Sequence, residues 1–217
     1  MLAPEAPYPL HGGGAYRTAS LLHYFARFAE VDLILISESG LPALLPPGLV
    51  RSQTVIPLPA HNRSKPARYL RNASRVLRGV PPLIDRMHGL ANALERATEN
   101  RTWDLGIVEH FWCAPYIAQM HAVCGRTLLD LHNIESVLHH RSAQVESGLI
   151  AAGHRRFARL YERLEASLLP RYSTVLATSQ PDADEIGRIA PTASVMIFAN
   201  SIPEIPPPSV PEQPVVV

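Results

Sequence analysis

The segment that organises the chain is residues 7–17, which read PYPLHGGGAYR. Its two prolines and three consecutive glycines, Gly12, Gly13 and Gly14, predict a break in regular structure, and a helical pattern follows at residues 18–28. A glycine loop that opens a helix is a common anion-binding arrangement, because the first helical turn leaves backbone N–H groups unpaired. A plain turn into the helix fits the same residues, so the loop alone leaves both interpretations open.

Length and composition limit the classes of protein that fit. The 217 residues suffice for one domain with a full core, and 47% hydrophobic with 18% charged content is typical of a globular chain. A net charge of +1 gives no reason to expect a nucleic-acid partner. Because there is no signal peptide and no apolar run of roughly 18 residues, we expect a cytoplasmic protein.

The two ends of the sequence predict that this domain is part of a larger protein. Residues 1–3 are apolar but too few for a complete strand ahead of such a glycine loop. Residues 203–214 are proline-rich, as is typical of an extended linker, and residues 215–217 read as the first residues of another strand. We therefore expect one domain at residues 1–202, then an interdomain linker at 203–217 and a further domain beyond it.

Short β-prone runs alternate with helical segments along the chain. The runs predicted as strands are residues 31–37, 54–58, 103–110, 126–133, 173–179 and 193–198, and the predicted helices are 18–28, 64–78, 83–100, 111–123, 148–169 and 182–189. This alternation predicts an α/β fold with a doubly wound, Rossmann-like parallel sheet. Ligands of such sheets bind beyond the carboxyl ends of the strands, so the residues that follow each strand are the candidate site.

Polar side chains follow two neighbouring strands at the point where each ends. They are Glu109 and His110 on the first, and Asp130, His132, Asn133 and Glu135 on the second. Histidine can accept a proton near neutral pH, and carboxylates with an amide suit a polyhydroxylated ligand. A hydrogen-bonded histidine near the surface is the plain alternative for His110 or His132 alone, but their shared position at strand ends favours a site.

Other chemistries have less support in the sequence. The histidines at 132, 139 and 140 and the cysteines at 113 and 124 lack zinc-ligand spacing, so no metal is expected. The chain also has neither the nucleophile elbow of the α/β-hydrolases nor a Walker A sequence.

A basic helix predicted at residues 64–78 is a second candidate surface. Its apolar residues recur at helical spacing, and Arg68, Arg71 and Arg75 occupy much of the remaining surface. Such a helix can contact anionic lipid headgroups, although charged helix faces are more often simply solvated. The composition favours the solvated face, and membrane contact through these three arginines remains a hypothesis.

Taken together, these motifs resemble the N-terminal half of a retaining GT-B glycosyltransferase of family 4. The resemblance is carried in order by residues 7–17, 104–110, 129–135, 178–179 and 198–201, and it spans almost the whole chain. It implies two Rossmann-like domains, of which the N-terminal one holds the acceptor and the C-terminal one most of the nucleotide-sugar donor. The paired glutamates and uridine-binding segment of that family have no counterpart here, so this chain alone should lack turnover.

The resemblance also implies roles for individual residues. Gly12, Gly13 and Gly14 would approach the donor diphosphate, His110 would be the active-site histidine, and Asn200 would lie near the interdomain hinge. The acceptor would be bound by the remaining strand-end residues, namely Glu109, Asp130, His132, Asn133 and Glu135. No cofactor is expected beyond the nucleotide-sugar substrate, and the partners would be a hydroxyl-bearing acceptor and the C-terminal donor-binding domain. Some family members meet the inner membrane face through a basic helix, and residues 63–78 are placed to match it.

Two other functions fit the same sequence. A nucleotide-sugar epimerase uses a similar two-domain scaffold without an acceptor. A non-catalytic module could instead use the basic helix to bind a membrane or a partner protein.

Overall fold

The computed structural model describes residues 1–60, 62 and 64–200. The predicted linker at 203–217 and the last residue of the 198–201 motif lie outside the described residues. Seven parallel strands form one sheet in the order β3-β2-β1-β4-β5-β6-β7. The strands are β1 (Leu2–Ala3), β2 (Asp32–Ser37), β3 (Ser52–Pro57), β4 (Trp103–Glu109), β5 (Cys124–Asp130), β6 (Thr174–Ala177) and β7 (Val195–Ile197).

Helices flank this sheet, which confirms the predicted doubly wound α/β fold. They are α1 (Gly12–Phe25), α2 (Lys65–Arg78), α3 (Pro82–Met87), α4 (Ala91–Thr98), α5 (Ile117–Val123), α6 (Glu135–Val145), α7 (Gly148–Leu168) and α8 (Gln180–Ile189). Two 3₁₀ turns, Phe111–Tyr116 and Leu169–Arg171, complete the described elements. No described helix combines the length and the apolar character needed to cross a membrane.

The short strand β1 lies inside the sheet, between β2 and β4. Leu2 pairs with Ile34 of β2 on one side and with Val108 of β4 on the other, and its side chain is fully buried. From β1 the chain winds outward through β2 and β3, and then returns to build β4 to β7 on the opposite side. The gap between the carboxyl ends of β1 and β4 is therefore the topological switch point, where sheets of this kind form a ligand crevice.

Three local differences separate the structure from the sequence prediction. The glycines at 12–14 form the first turn of α1 rather than a loop, with only Gly12 at a positive φ of 82°. The helix predicted at 83–100 divides into α3 and α4, because Gly89 adopts a φ of 87° that ends the first of them. Residues 135–145, which the sequence left without an element, form α6, and this helix packs along α7.

Candidate functional site

The crevice at the switch point is bordered by the first turn of α1 and by the residues that follow β4 and β5. A Cβ atom on Gly14 would lie 3.5 Å from Nδ1 of His132, so this turn approaches the histidine closely. A Cβ on Gly12 or Gly13 would meet no described atom within 4 Å. The space that a side chain would occupy at these two glycines is therefore open.

His132 lies between two buried carboxylates. Its Nε2 is 2.9 Å from Oε2 of Glu109 and 3.3 Å from Oδ2 of Asp130, and both acids are fully buried. Burial lowers the pKa of His132, but the hydrogen bonds from its ring to the two carboxylates outweigh this effect and raise the pKa to about 9. The imidazole is therefore a cation at neutral pH.

A second buried cation, Arg17 of α1, completes this charge network. Its Nε donates to both carboxylate oxygens of Asp130 at 2.8 and 3.1 Å, and its Nη1 donates to the Phe198 carbonyl at 2.7 Å and to Oδ1 of Asn200 at 2.9 Å. Thr18, the next residue, donates to Oε2 of Glu109 at 3.0 Å. Two acids and two cations are thus paired beneath the crevice.

Arg17 was not among the predicted site residues, although it is the last residue of the segment 7–17. A signal was present, because Arg17 lies four residues before Leu21 and so shares the buried face of α1. A charge on a buried helix face requires a partner of opposite sign, and Asp130 is that partner.

His110 is held in an unusual conformation directly after β4. Its φ of 62° and ψ of 141° place it in a backbone region that is costly for a residue with a Cβ. The ring stacks on Trp112, with 4.2 Å between centroids, and the tilted ring of His132 lies 3.6 Å away on the same measure. Burial, with the positive charge of His132 beside it, lowers the pKa of His110 to about 3. His110 is therefore neutral beside a charged histidine.

The remaining strand-end residues lie at different depths. Glu135, the first residue of α6, is buried and accepts a hydrogen bond from Nε1 of Trp112 at 2.8 Å. Burial raises the pKa of Glu135 to about 7. Asn133 is exposed at the rim. Glu109 and Asp130 are instead enclosed by Thr18, Arg17 and His132, so they hold these side chains in place and are not open to an acceptor in this structure.

The site was also tested for its fit to a metal ion. One ligand atom each from Glu109, Asp130 and His132 lie within 4.8 Å of one another. However, His132 already bridges the two carboxylates and Arg17 holds Asp130, so two cations balance the two acids. We therefore assign no metal to this cluster.

A cavity of about 400 Å³ adjoins the crevice on the side of β2 and β3. Its walls include Glu5 after β1, Ile36 near the end of β2 and Leu58 directly after β3. Trp112, whose ring also stacks on His110, completes them. The cavity lies beyond the carboxyl ends of the strands and reaches the buried histidine pair through Trp112.

The basic helix α2 is oriented differently from expectation. Arg75 is only 7% exposed, because its Nε donates to Oδ2 of Asp85 at 2.8 Å, so it faces the protein and is not available to a membrane surface. Arg68 is exposed and Arg71 is half-buried, with its Nη1 donating to the Asn62 carbonyl at 2.7 Å. Arg63, at the start of this basic region, lies outside the described residues.

Several apolar residues of α2 face outward, although Val76 packs against the core. Tyr69, Leu70 and Leu77 are 66%, 71% and 83% exposed. Their spacing places them on one face of the helix, together with Ala73, and we call these four residues the α2 stripe.

No family model matches this chain, and no curated protein matches it either.

Proposed function

We propose that this chain is the acceptor-binding domain of a retaining glycosyltransferase, which transfers a sugar from a nucleotide-sugar donor to a hydroxyl acceptor. One observation carries the proposal: the open first turn of α1 faces the His110–His132 pair at the switch point of the sheet. A helix N-terminus suits a diphosphate, and paired histidines suit the polar chemistry of a sugar hydroxyl.

The donor diphosphate would lie against Gly12 and Gly13. Their backbone N–H groups are at the helix start, and no described side chain fills the space that a Cβ would occupy. Protonated His132 adds positive charge close to this turn, with its Nδ1 buried and without a hydrogen-bond partner among the described residues. Fixed donors and a buried cation of this kind stabilise charge that develops on a leaving diphosphate.

The acceptor would enter the 400 Å³ cavity beside Trp112. Glu5 in its wall offers a carboxylate to sugar hydroxyls, and the exposed Asn133, next to His132 in the chain, offers an amide. His110, neutral at physiological pH, would orient the reacting hydroxyl or the transferred sugar through its imidazole. Under this proposal Glu109 and Asp130 act as positioning residues, because they hold His132 and Arg17.

The proposal assigns the donor sugar mainly to a second domain after residues 203–217. The test is a thermal-shift titration with UDP- and GDP-sugars, on this chain and on the protein extended through the residues that follow Val217. We expect the nucleotide-sugars to stabilise only the extended protein, and the free sugars to stabilise neither. If neither protein responds to any nucleotide-sugar, the transferase proposal fails. Epimerised sugar released without an acceptor would instead identify an epimerase.

A second function, contact with an anionic membrane, is favoured by the α2 stripe. An exposed apolar stripe on a surface helix is a typical docking feature. The helix carries no acid and adds Lys65, Arg68 and Arg78 at exposed positions, so its charge complements an anionic bilayer. We propose that Tyr69, Leu70 and Leu77 enter the headgroup region while the exposed basic residues contact lipid phosphates.

Co-sedimentation with phosphatidylglycerol vesicles tests this contact. We expect the variant Leu70→Ser/Leu77→Ser to lose binding and Leu44→Ser, which alters a 91% exposed leucine outside α2, to retain it. Arg75 is left intact because it is paired inside the protein. Equal binding by the wild type and the double variant would eliminate the stripe as a membrane contact.

A further inference from the structure

A separate groove lies between α6, α7 and α8. It encloses about 660 Å³ and begins at Ile134 and Ser136, where α6 leaves the carboxyl edge of the sheet. It shares no lining residue with the cavity beside Trp112. The chemistry proposed for the switch point makes no use of this groove.

The acidic residues of the groove are already engaged. Nη2 of Arg188 donates to Oε1 of Glu162 at 2.9 Å and to Oε1 of Glu185 at 2.8 Å. Asp182 accepts a hydrogen bond from Ser179 at 2.7 Å, at the start of α8. Within the described residues, the ion pairs of these carboxylates are made by Arg188 and not by the other basic side chains of the groove.

Three arginines of the groove lack such a partner. Arg141 of α6 and Arg155 and Arg159 of α7 form no ion pair with any described carboxylate, and all three are exposed. Arg155 and Arg159 are four residues apart and so lie on one face of α7. Like charges at this spacing repel one another, and a bound anion would relieve that repulsion.

Apolar side chains also line the groove. They are Ile134, Val137, Ala158 and Pro181, of which Ile134 and Ala158 are buried. A ligand that fits this arrangement has an anionic group at one end and a less polar body. Guanidinium groups bind phosphate oxygens through paired hydrogen bonds, which suits a phosphate ester better than a single hydroxyl.

We propose that this groove is a binding site for a phosphate ester, whose phosphate is held by Arg141, Arg155 and Arg159. The phosphate would sit between α6 and α7, and the body of the ligand would lie against the apolar side chains of the groove, toward α8. This site does not depend on the proposed transferase activity.

Calorimetric titration of the chain with sn-glycerol 3-phosphate and with inorganic pyrophosphate tests the site. We expect Arg155→Ala/Arg159→Ala to weaken binding at least about tenfold, since each lost phosphate contact of this type removes a charge-assisted hydrogen bond. Arg96→Ala/Arg126→Ala is the matched control: it removes the same charge at exposed positions outside the groove and should bind like the wild type. Arg155→Lys/Arg159→Lys, which keeps the charge but not the forked geometry, should be intermediate.

Several results would overturn the site: no binding by the wild type, unchanged affinity in Arg155→Ala/Arg159→Ala, or an equal loss in the control. If circular dichroism shows that the alanine variant is unfolded, Arg141→Gln takes its place with the same expected direction. Vesicles containing phosphatidic acid identify the source of the ester. Vesicle binding that requires Arg155 and Arg159, in a Leu70→Ser/Leu77→Ser background, indicates a lipid headgroup. Arginine-dependent binding of glycerol phosphate alone indicates a small metabolite.

Discussion

Arg17 and Asp130 form an ion pair that is almost completely removed from water. The side chains are 2% and 0% exposed, and the guanidinium meets both carboxylate oxygens. The pair joins α1, whose first turn the glycines form, to the end of β5, just before His132. It therefore fixes two borders of the crevice relative to each other.

Replacement of Arg17 by Met should be strongly destabilising. It leaves the buried carboxylate of Asp130 with His132 as its only cationic partner, and loss of one member of a buried pair costs about 3–5 kcal/mol. Urea denaturation measures the change in the free energy of unfolding. The control is Arg188→Met. The Arg188 side chain is 58% exposed, so the loss of its ion pairs should cost less than about 1 kcal/mol. Similar losses of unfolding free energy in the two variants would show that the buried Arg17–Asp130 pair contributes no more to stability than the exposed pairs of Arg188.

The stability of the protein should fall as the pH rises from 6.5 to 9. The pKa of His132 is raised in the folded state to about 9 from 6.5, so its contribution is complete below 6.5 and disappears as the pH passes 9. The slope expected from this one group is about 1.4 kcal/mol per pH unit. His132→Gln should remove this part of the pH dependence, and His88→Gln, at an exposed position, should not. A wild-type curve that His132→Gln leaves unchanged would contradict the charge assignment.

At position 110, glycine should be more stable than alanine. Both variants lose the stacking of the ring, but only glycine adopts a φ of 62° without strain, which is worth on the order of 1–3 kcal/mol. In a helix interior, by contrast, alanine is usually more stable than glycine. Parallel urea denaturation of His110→Gly and His110→Ala gives the difference directly. In the extended protein both should lose turnover if His110 orients the substrate, and full activity in either would remove it from the site.

Two glycines should respond to alanine in opposite ways. A Cβ on Gly106 would lie 2.5 Å from Sγ of Cys124 and 2.6 Å from Cε of Met120, so Gly106→Ala should cost about 1–3 kcal/mol through overpacking. A Cβ on Gly13 would have no described atom within 4 Å, and alanine favours the helix. Gly13→Ala should therefore be neutral or stabilising by up to about 1 kcal/mol. Thermal unfolding measures both.

Gly13→Ala also separates stability from ligand binding. If the diphosphate approaches this turn, the added methyl group should weaken nucleotide-sugar binding by the extended protein while its melting temperature stays level. Undiminished binding would place the diphosphate elsewhere.

The sequence predicted the sheet and the position of the crevice, because both follow from local patterns. Alternation of apolar runs and helical segments identified the strands, and the carboxyl-edge rule brought His110 and His132 together. Their rings are in contact, with 3.6 Å between centroids and a tilt of 31°. The burial of Glu109 and Asp130 was not predictable in this way. It depends on Arg17 and Thr18 of α1, which donate hydrogen bonds to these carboxylates.

The contacts that the sequence did not reveal depend on distant parts of the chain. Arg17 and Asp130 are 113 residues apart, and no spacing rule connects them. The orientation of α2 depends on Asp85, which draws Arg75 inward and turns the α2 stripe to the outside. An amphipathic pattern predicts that a helix has two faces, but the tertiary partner decides which face is buried.

The stack of Trp112 on His110 also has a spectroscopic consequence. The two rings are nearly parallel, at 14°, with 4.2 Å between their centroids, so the indole ring current must shift the imidazole proton resonances of His110 upfield. The chain has only one other tryptophan, Trp103, which bonds to Asp32 at the opposite edge of the sheet. Ligand binding in the crevice should therefore change the Trp112 fluorescence and the shifted His110 resonances, so it can be followed without an attached label.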